Sequence, residues 1–234
     1  MTAALAVVLA AVLLAACGVV PRDPEGTLDR VRGGTLRAGI SQHQPWTRLG
    51  AGPPSGVEVR LVERFARELG ATVQWTDGSE AELVAAMEVR ELDLLVAGLT
   101  ADTPWQTKVA ITRGYATTRV VVAVPADQPV PADIAGLRVA VEDGTEAAGL
   151  LEEKTDAVAV RVPDVTRVRD SAVAVDEWLV DLLGLKDTGV HLHKAEHVMA
   201  TPLGENAFLT RLERFLIAHQ GEVPALLDAE ARAP

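Results

Sequence analysis

Residues 79–100, SEAELVAAMEVRELDLLVAGLT, decide the fold. Ser79 followed three residues later by Glu82 is a capping-box pattern that opens a helix. Leu83, Ala86 and Met87 are its buried positions. From Leu92 to Ala97 the pattern changes to a continuous apolar run of strand length, as a parallel strand covered on both faces requires.

The same alternation extends toward the N-terminus. Thr72 to Thr76 reads as a short strand with Val73 and Trp75 on one side. Before it, Val57, Leu61, Val62, Phe65, Ala66 and Leu69 fall on one helical face, and Gly70 supplies the stop. Thr35 to Ile40 is the opening strand. A β-α-β-α-β rhythm of this kind predicts a parallel sheet covered by helices.

Toward the C-terminus, Thr103-Pro104 has the signature of a helix start, with an N-cap and a proline at the first position. Arg119 to Val124 is a strand, and three prolines among residues 125–131 mark a lobe boundary. The rhythm then restarts with strands at 137–141, 157–162 and 171–175 and helices at 146–153 and 177–183, the last stopping at Gly184. His197 to Thr201 forms a further short strand. Leu209, Leu212, Phe215 and Leu216 mark an amphipathic helix, and a last helix lies near 223–229.

Several of these segments resemble family 3 of the bacterial extracellular solute-binding proteins, the polar amino-acid receptors of ABC importers. Gly34-Thr-Leu-Arg-Ala-Gly-Ile40 resembles the family's opening strand, and residues 56–70 its first helix. Residues 91–100 are similar to its "DLIVAGMT" segment, Leu137 to Thr145 to "VGVQxGT", Ala174 to Glu177 to "VxDE", and Val198 to Gly204 to "GIAVPKG". The resemblance runs in order from about Gly33 to the C-terminus. It implies an α/β fold of the type II periplasmic-binding-protein kind, with two lobes joined by two crossing strands at 119–124 and 197–201. Lobe one is expected to comprise 33–124 plus 198–234, and lobe two 125–197. Only Pro163 to Asp170 stands where the family carries a helix and a turn, so the second lobe is expected to be reduced.

The resemblance also implies a ligand site in the interlobe cleft, at Trp46, Gly98, Thr100, Trp105, Thr145 and Asp176. The Gly98 carbonyl and Thr100 hydroxyl would meet the ligand's ammonium or carboxylate, and the turn at Gly144-Thr145 would offer backbone N–H donors. Asp176 aligns with the carboxylate that holds an amino group, although the same residue could equally cap a following helix. Trp46, Trp105 and Tyr115 occupy loops that the family turns toward the cleft. Where the family's receptors place the arginine that clamps an α-carboxylate, this chain has Trp105, with Lys108 and Arg113 as the nearby alternatives. Asp102, Glu142, Asp143, Glu146 and Glu177 crowd the same loops, so a negative, partly aromatic cleft favouring a cation is expected. His191, His193, His197 and Glu196 have spacing that suits either a metal or a polar hinge, and the hinge is preferred. No metal and no cofactor are expected.

Composition bounds the rest. With 22 basic and 33 acidic residues among 234, the formal charge is −11, and no basic stripe interleaved with aromatics supports nucleic-acid binding. Residues 2–16 form an uncharged run of apolar and small residues ending in Leu14-Ala-Ala-Cys17-Gly18. It is too short to span a bilayer and suits a signal-peptide core closed by a lipobox. Cys17, the only cysteine, is therefore the expected lipidation site, and residues 18–32 a tether. The expected protein is a monomeric, exported, membrane-anchored receptor. It would bind a small polar solute, an amino acid or amine, without transforming it, and partner ABC permease subunits. An enzyme on the same fold, such as a cyclohexadienyl dehydratase-like protein, and an extracytoplasmic sensor are the alternatives.

Overall fold

The computed structural model describes residues 21–232. Cys17 and the run before it lie outside the described residues. Two five-stranded mixed sheets organise the chain. The first is built from β1 (Thr35–Ile40), β2 (Thr72–Asp77), β3 (Leu94–Val96), β4 (Val109–Ile111) and β10 (Ala200–Pro202). Its order is β2-β1-β3-β10-β4, with β1 parallel to both β2 and β3, and β10 antiparallel to its neighbours. The expected parallel βαβαβ unit is thus present, with α2 (Val57–Glu68) and α3 (Glu80–Glu88) as its crossovers. Ser79 and Glu82 close a complete capping box at the start of α3. Three phenylalanines, Phe65 of α2 and Phe208 and Phe215 of α5 (Asn206–His219), interlock at the centre of this lobe's core.

The second sheet contains β5 (Ala116–Pro125), β6 (Arg138–Glu142), β7 (Val158–Val162), β8 (Ala172–Asp176) and β9 (Leu185–His197), in the order β7-β6-β8-β5-β9. A single α-helix, α4 (Ala147–Lys154), accompanies it. The shortened segment after β7 holds only a 3-10 turn, Val165–Arg167, capped by the Asp164 side chain. The α/β architecture and the small second lobe agree with the sequence.

Four local expectations are corrected. First, β5 belongs to lobe two rather than to the crossing, because Val121 to Val124 is buried between β8 and β9. The chain crosses instead at 112–115 and 198–199. These two segments bond each other: the Tyr115 N–H donates to the His197 carbonyl at 3.0 Å and the Thr112 N–H to the Met199 carbonyl at 2.9 Å. Second, residues 22–31 are folded rather than a tether. They contain α1 (Thr27–Val31), whose Leu28 and Val31 enter the lobe-one core. Asp23 accepts from the N–H groups of Ala207 and Phe208 at the start of α5, and Glu205 accepts from those of Glu25 and Thr27, so each carboxylate caps a distant helix. Arg30 adds an ion pair to buried Asp93.

Third, Thr103-Pro104 opens no helix. Lys108 and Val109 both donate to the Trp105 carbonyl, and the chain leaves after one turn because Val109 enters the sheet as β4. Fourth, the helix expected at 177–183 stops after the 3-10 turn Glu177–Leu179. Val180 and Leu185 join one apolar cluster, with the Leu185 N–H donating to the Val180 carbonyl at 2.9 Å, which turns the chain into β9. Among the described residues no helix is long and apolar enough to cross a membrane.

Candidate functional site

The carboxyl ends of β1 and β3 open toward lobe two, where parallel sheets place their ligands. The loop after β1 folds on itself: His43 and Thr47 exchange backbone hydrogen bonds, and the peptide before Pro45 is cis. This loop sets Trp46 into the wall at 3% exposure. One indole face is stacked on His197, with ring centroids 3.8 Å apart, and Tyr115 meets the ring edge-on. Gly98 follows β3 at φ +63°, and a Cβ there would come within 2.8 Å of the His43 ring and 2.9 Å of the Trp46 ring. Only glycine satisfies both the left-handed backbone and that close approach.

Beneath Gly98 lies Glu58, on the first turn of α2 and fully buried. It accepts from the Gly98 N–H at 2.9 Å and from the Tyr115 hydroxyl at 2.7 Å. Burial pushes its pKa up to about 7, against the opposing effect of these hydrogen bonds. The Tyr115 phenol is raised well above its ordinary value by burial and by the Glu58 carboxylate. One buried carboxylate thus joins the cleft floor at Gly98 to the first crossing segment at Tyr115.

Lobe two contributes the opposite wall. Asp176 closes β8, and burial followed by repulsion from Glu142 raises its pKa to about 6, with His193 opposing. Its carboxylate makes no capping hydrogen bond to the turn that follows, so the helix-cap alternative is not realised. Two residues on, Trp178 is half-buried and packs against the lobe-one core. From β9, His193 and His197 reach the cleft, whereas His191 is exposed beside Asp187. A register slip between the Val120–His193 and Val121–His191 pairs separates His191 from His193. The His197 pKa is lowered to about 4, by burial first and His43 next, so the ring is neutral at pH 7. Its Nε2 is 2.9 Å from the Thr118 hydroxyl.

Together these walls enclose a cleft of about 380 Å³. Trp46, Gly98, Thr100 and Asp176 line it. Trp105 and Thr145 do not. Trp105 packs beside α3 and donates its indole N–H to Glu80 at 2.8 Å, so it stands behind a residue that does line the cleft. Thr145 is exposed, and its hydroxyl donates to the Glu142 carbonyl of its own turn. Neither Lys108, paired with Glu88, nor Arg113, whose backbone N–H donates to Glu213, lines the cleft. Of the acidic loop residues only Asp176 does; Asp102 is engaged by Thr100 and Glu177 by Arg119.

Sequence reasoning missed Glu80, Trp178 and the histidine pair at 193 and 197. Glu80 follows the Ser79 cap at the carboxyl end of β2, and Trp178 follows Asp176 by two residues. Both positions were legible as strand-end loops. Among the described lining residues are two carboxylates, Glu80 and Asp176, and no lysine or arginine. Such a cleft attracts cations and repels a free carboxylate. Among the described residues no group of three or more His, Cys, Asp or Glu is arranged to hold a metal ion.

Comparison with known proteins follows this geometry. The family model of bacterial extracellular solute-binding proteins, family 3, matches residues 36–222. The unliganded, open L-cystine solute receptor of Neisseria gonorrhoeae is similar in fold, with a TM-score of 0.69 at 17% identity over 84% of this chain and 91% of that one. An ancestral cationic amino-acid solute-binding protein gives 0.69 at 20% identity, covering 87% and 98%. The second substrate-binding domain of a putative amino-acid ABC transporter from Streptococcus pneumoniae gives 0.65 at 17%, covering 83% and 98%. No curated protein matches the chain.

Proposed function

Because the chain belongs to family 3 of the bacterial extracellular solute-binding proteins, we propose that its cleft captures a small amine or other cationic solute and delivers it to an ABC-type importer. Membership makes it an exported solute-binding protein. One observation carries the cationic specificity: among the described residues the cleft is lined by Asp176 and Glu80 and by no lysine or arginine. An α-carboxylate bound there would lose its hydration without gaining an arginine fork, whose charged hydrogen bonds contribute ~1.5–3 kcal/mol each. An ammonium group would instead meet an anion.

The aromatic contact for that cation comes from Trp178 rather than Trp46, whose exposed area is small and whose face is covered by His197. Capture without chemistry is the role proposed. The cleft's carboxylates, with no lysine or arginine among the described lining residues, suit the holding of a cationic charge. Lipid anchoring at Cys17 completes the proposal, supported by the lipobox pattern around it. Palmitate labelling that disappears in Cys17→Ser tests the anchor.

Calorimetry at pH 7.5 tests the specificity. Simple amines are expected to bind, and glutamate and glutamine are not. Tight binding of glutamate or glutamine with no affinity for any amine overturns the proposal.

A further inference from the structure

Asp176 and Glu80 approach one cleft from different lobes, and each has unused hydrogen-bonding capacity. Asp176 accepts no hydrogen bond and joins no ion pair among the described residues, although burial and Glu142 both penalise its charge. Glu80 begins α3, and the Trp105 indole N–H occupies its Oε2, leaving Oε1 without a donor among the described residues. Thr103, 6% exposed, also lines the cleft and has no partner for its Oγ1. An unpaired, partly desolvated carboxylate such as Asp176 is costly unless a ligand supplies the missing donors.

We propose that the cleft selects a solute with a cationic group at each end and no carboxylate, a short linear diamine. Asp176 holds one ammonium from lobe two and Glu80 the other from lobe one. The inference rests on the cation-binding reading above and goes beyond it by assigning Glu80 a specificity role and the ligand a second charge. Trp105 acts as a positioning residue, fixing one Glu80 oxygen so that the other is presented in a set direction. Val120, Leu99 and Trp178 line the same cleft and offer apolar surface for a methylene stem. A cleft of about 380 Å³ is at the small end of solute sites, which limits the stem to a few carbons. Both amines of such a ligand are protonated at pH 7, with pKa values near the ~10.4 of a lysine side chain. Two ligand charges then match two wall charges. Because the walls belong to different lobes, binding both ends also favours the closed arrangement over the open one.

Calorimetry with 1,4-diaminobutane, 1-aminobutane and 4-aminobutanoate separates the possibilities. The diamine is expected to bind at least about tenfold more tightly than the monoamine, and the amino acid more weakly than either. Glu80→Gln is expected to bring the diamine-to-monoamine ratio to about one, with circular dichroism confirming the fold. A wild-type ratio near one, or a ratio that survives Glu80→Gln, overturns the diamine inference while monoamine binding keeps the cationic reading intact. No binding of either amine, with 4-aminobutanoate or glutamate bound instead, overturns both.

Discussion

Asp176→Asn is expected to weaken amine binding about a hundredfold, and to remove the part of its pH dependence that Asp176 contributes below neutrality. The magnitude follows from exchanging an ion-paired hydrogen bond for a neutral one in a partly desolvated wall. Charged hydrogen bonds contribute up to ~3 kcal/mol, and about 1.4 kcal/mol corresponds to a factor of ten. The pH effect has a definite sign. Burial and Glu142 hold the Asp176 pKa near 6 in the unliganded protein, and an ammonium ligand binds the ionised form. Wild-type affinity should therefore be flat above about pH 7 and fall as pH drops through 6, by about tenfold at pH 5. His197, lowered to about 4, remains neutral throughout that window. Glu142, Glu80, His43 and His193 are the other titratable groups around the cleft, and comparison of Asp176→Asn with wild type cancels what they share. Affinity unchanged by the substitution, or an identical pH profile in the variant, would remove Asp176 from the site.

Lobe one was legible because burial writes a simple pattern. Leu94 to Val96 is covered on both faces and reads as an unbroken apolar run, and the apolar stripe of α2 faces the sheet. β9 carries no comparable signal. It is an edge strand whose LKDTGVHLHKAEH sequence puts charges on its exposed side, so its thirteen residues looked like a polar connection. The lobe assignment of β5 depends on which strands lie beside it, and periodicity reports burial rather than neighbours. The folded 22–31 segment depends on Asp23 and Glu205 contacts spanning nearly the whole chain, which no local window contains.

The site divides in the same way. Gly98 and Asp176 end strands in a recognisable order, so their placement at the cleft could be anticipated. Trp105 stands behind the cleft wall, and Glu80, of which nothing was expected, lines it, because the turn after Pro104 fails to become a helix. That failure directs the indole toward α3 and leaves the carboxylate in front of it. Trp178 reaches the cleft only because the expected helix stops after one turn.

Glu58→Gln is expected to flatten the pH dependence of stability between about 4.5 and 7, so that the variant gains on wild type as pH rises. In the unfolded chain this carboxyl titrates at its ordinary 4.5, whereas burial raises it to about 7 in the folded state. The fold therefore favours the protonated group, and that contribution is complete below 4.5 and lost as pH rises through 7. At about 1.4 kcal/mol per pH unit, wild type should lose ~3 kcal/mol across the window for this reason. Glutamine is uncharged at every pH and nearly the same shape. Its carbonyl can accept from the Gly98 N–H and the Tyr115 hydroxyl can turn to accept one amide N–H, which leaves the Tyr115 O–H and the second amide N–H without the acceptor the carboxylate supplied. That mismatch, about 1–3 kcal/mol per unpaired donor, is the same at every pH, so it lowers the variant's curve without tilting it. Urea unfolding of both proteins at pH 5, 6, 7 and 8 reads the difference directly, because every other titrating group is common to the two. Parallel stability curves would show that Glu58 is not the buried, proton-holding group that ties Gly98 to the crossing segment. A difference that moves in the variant's favour as pH rises would show that the cleft floor is built on a carboxyl whose charge opposes the fold.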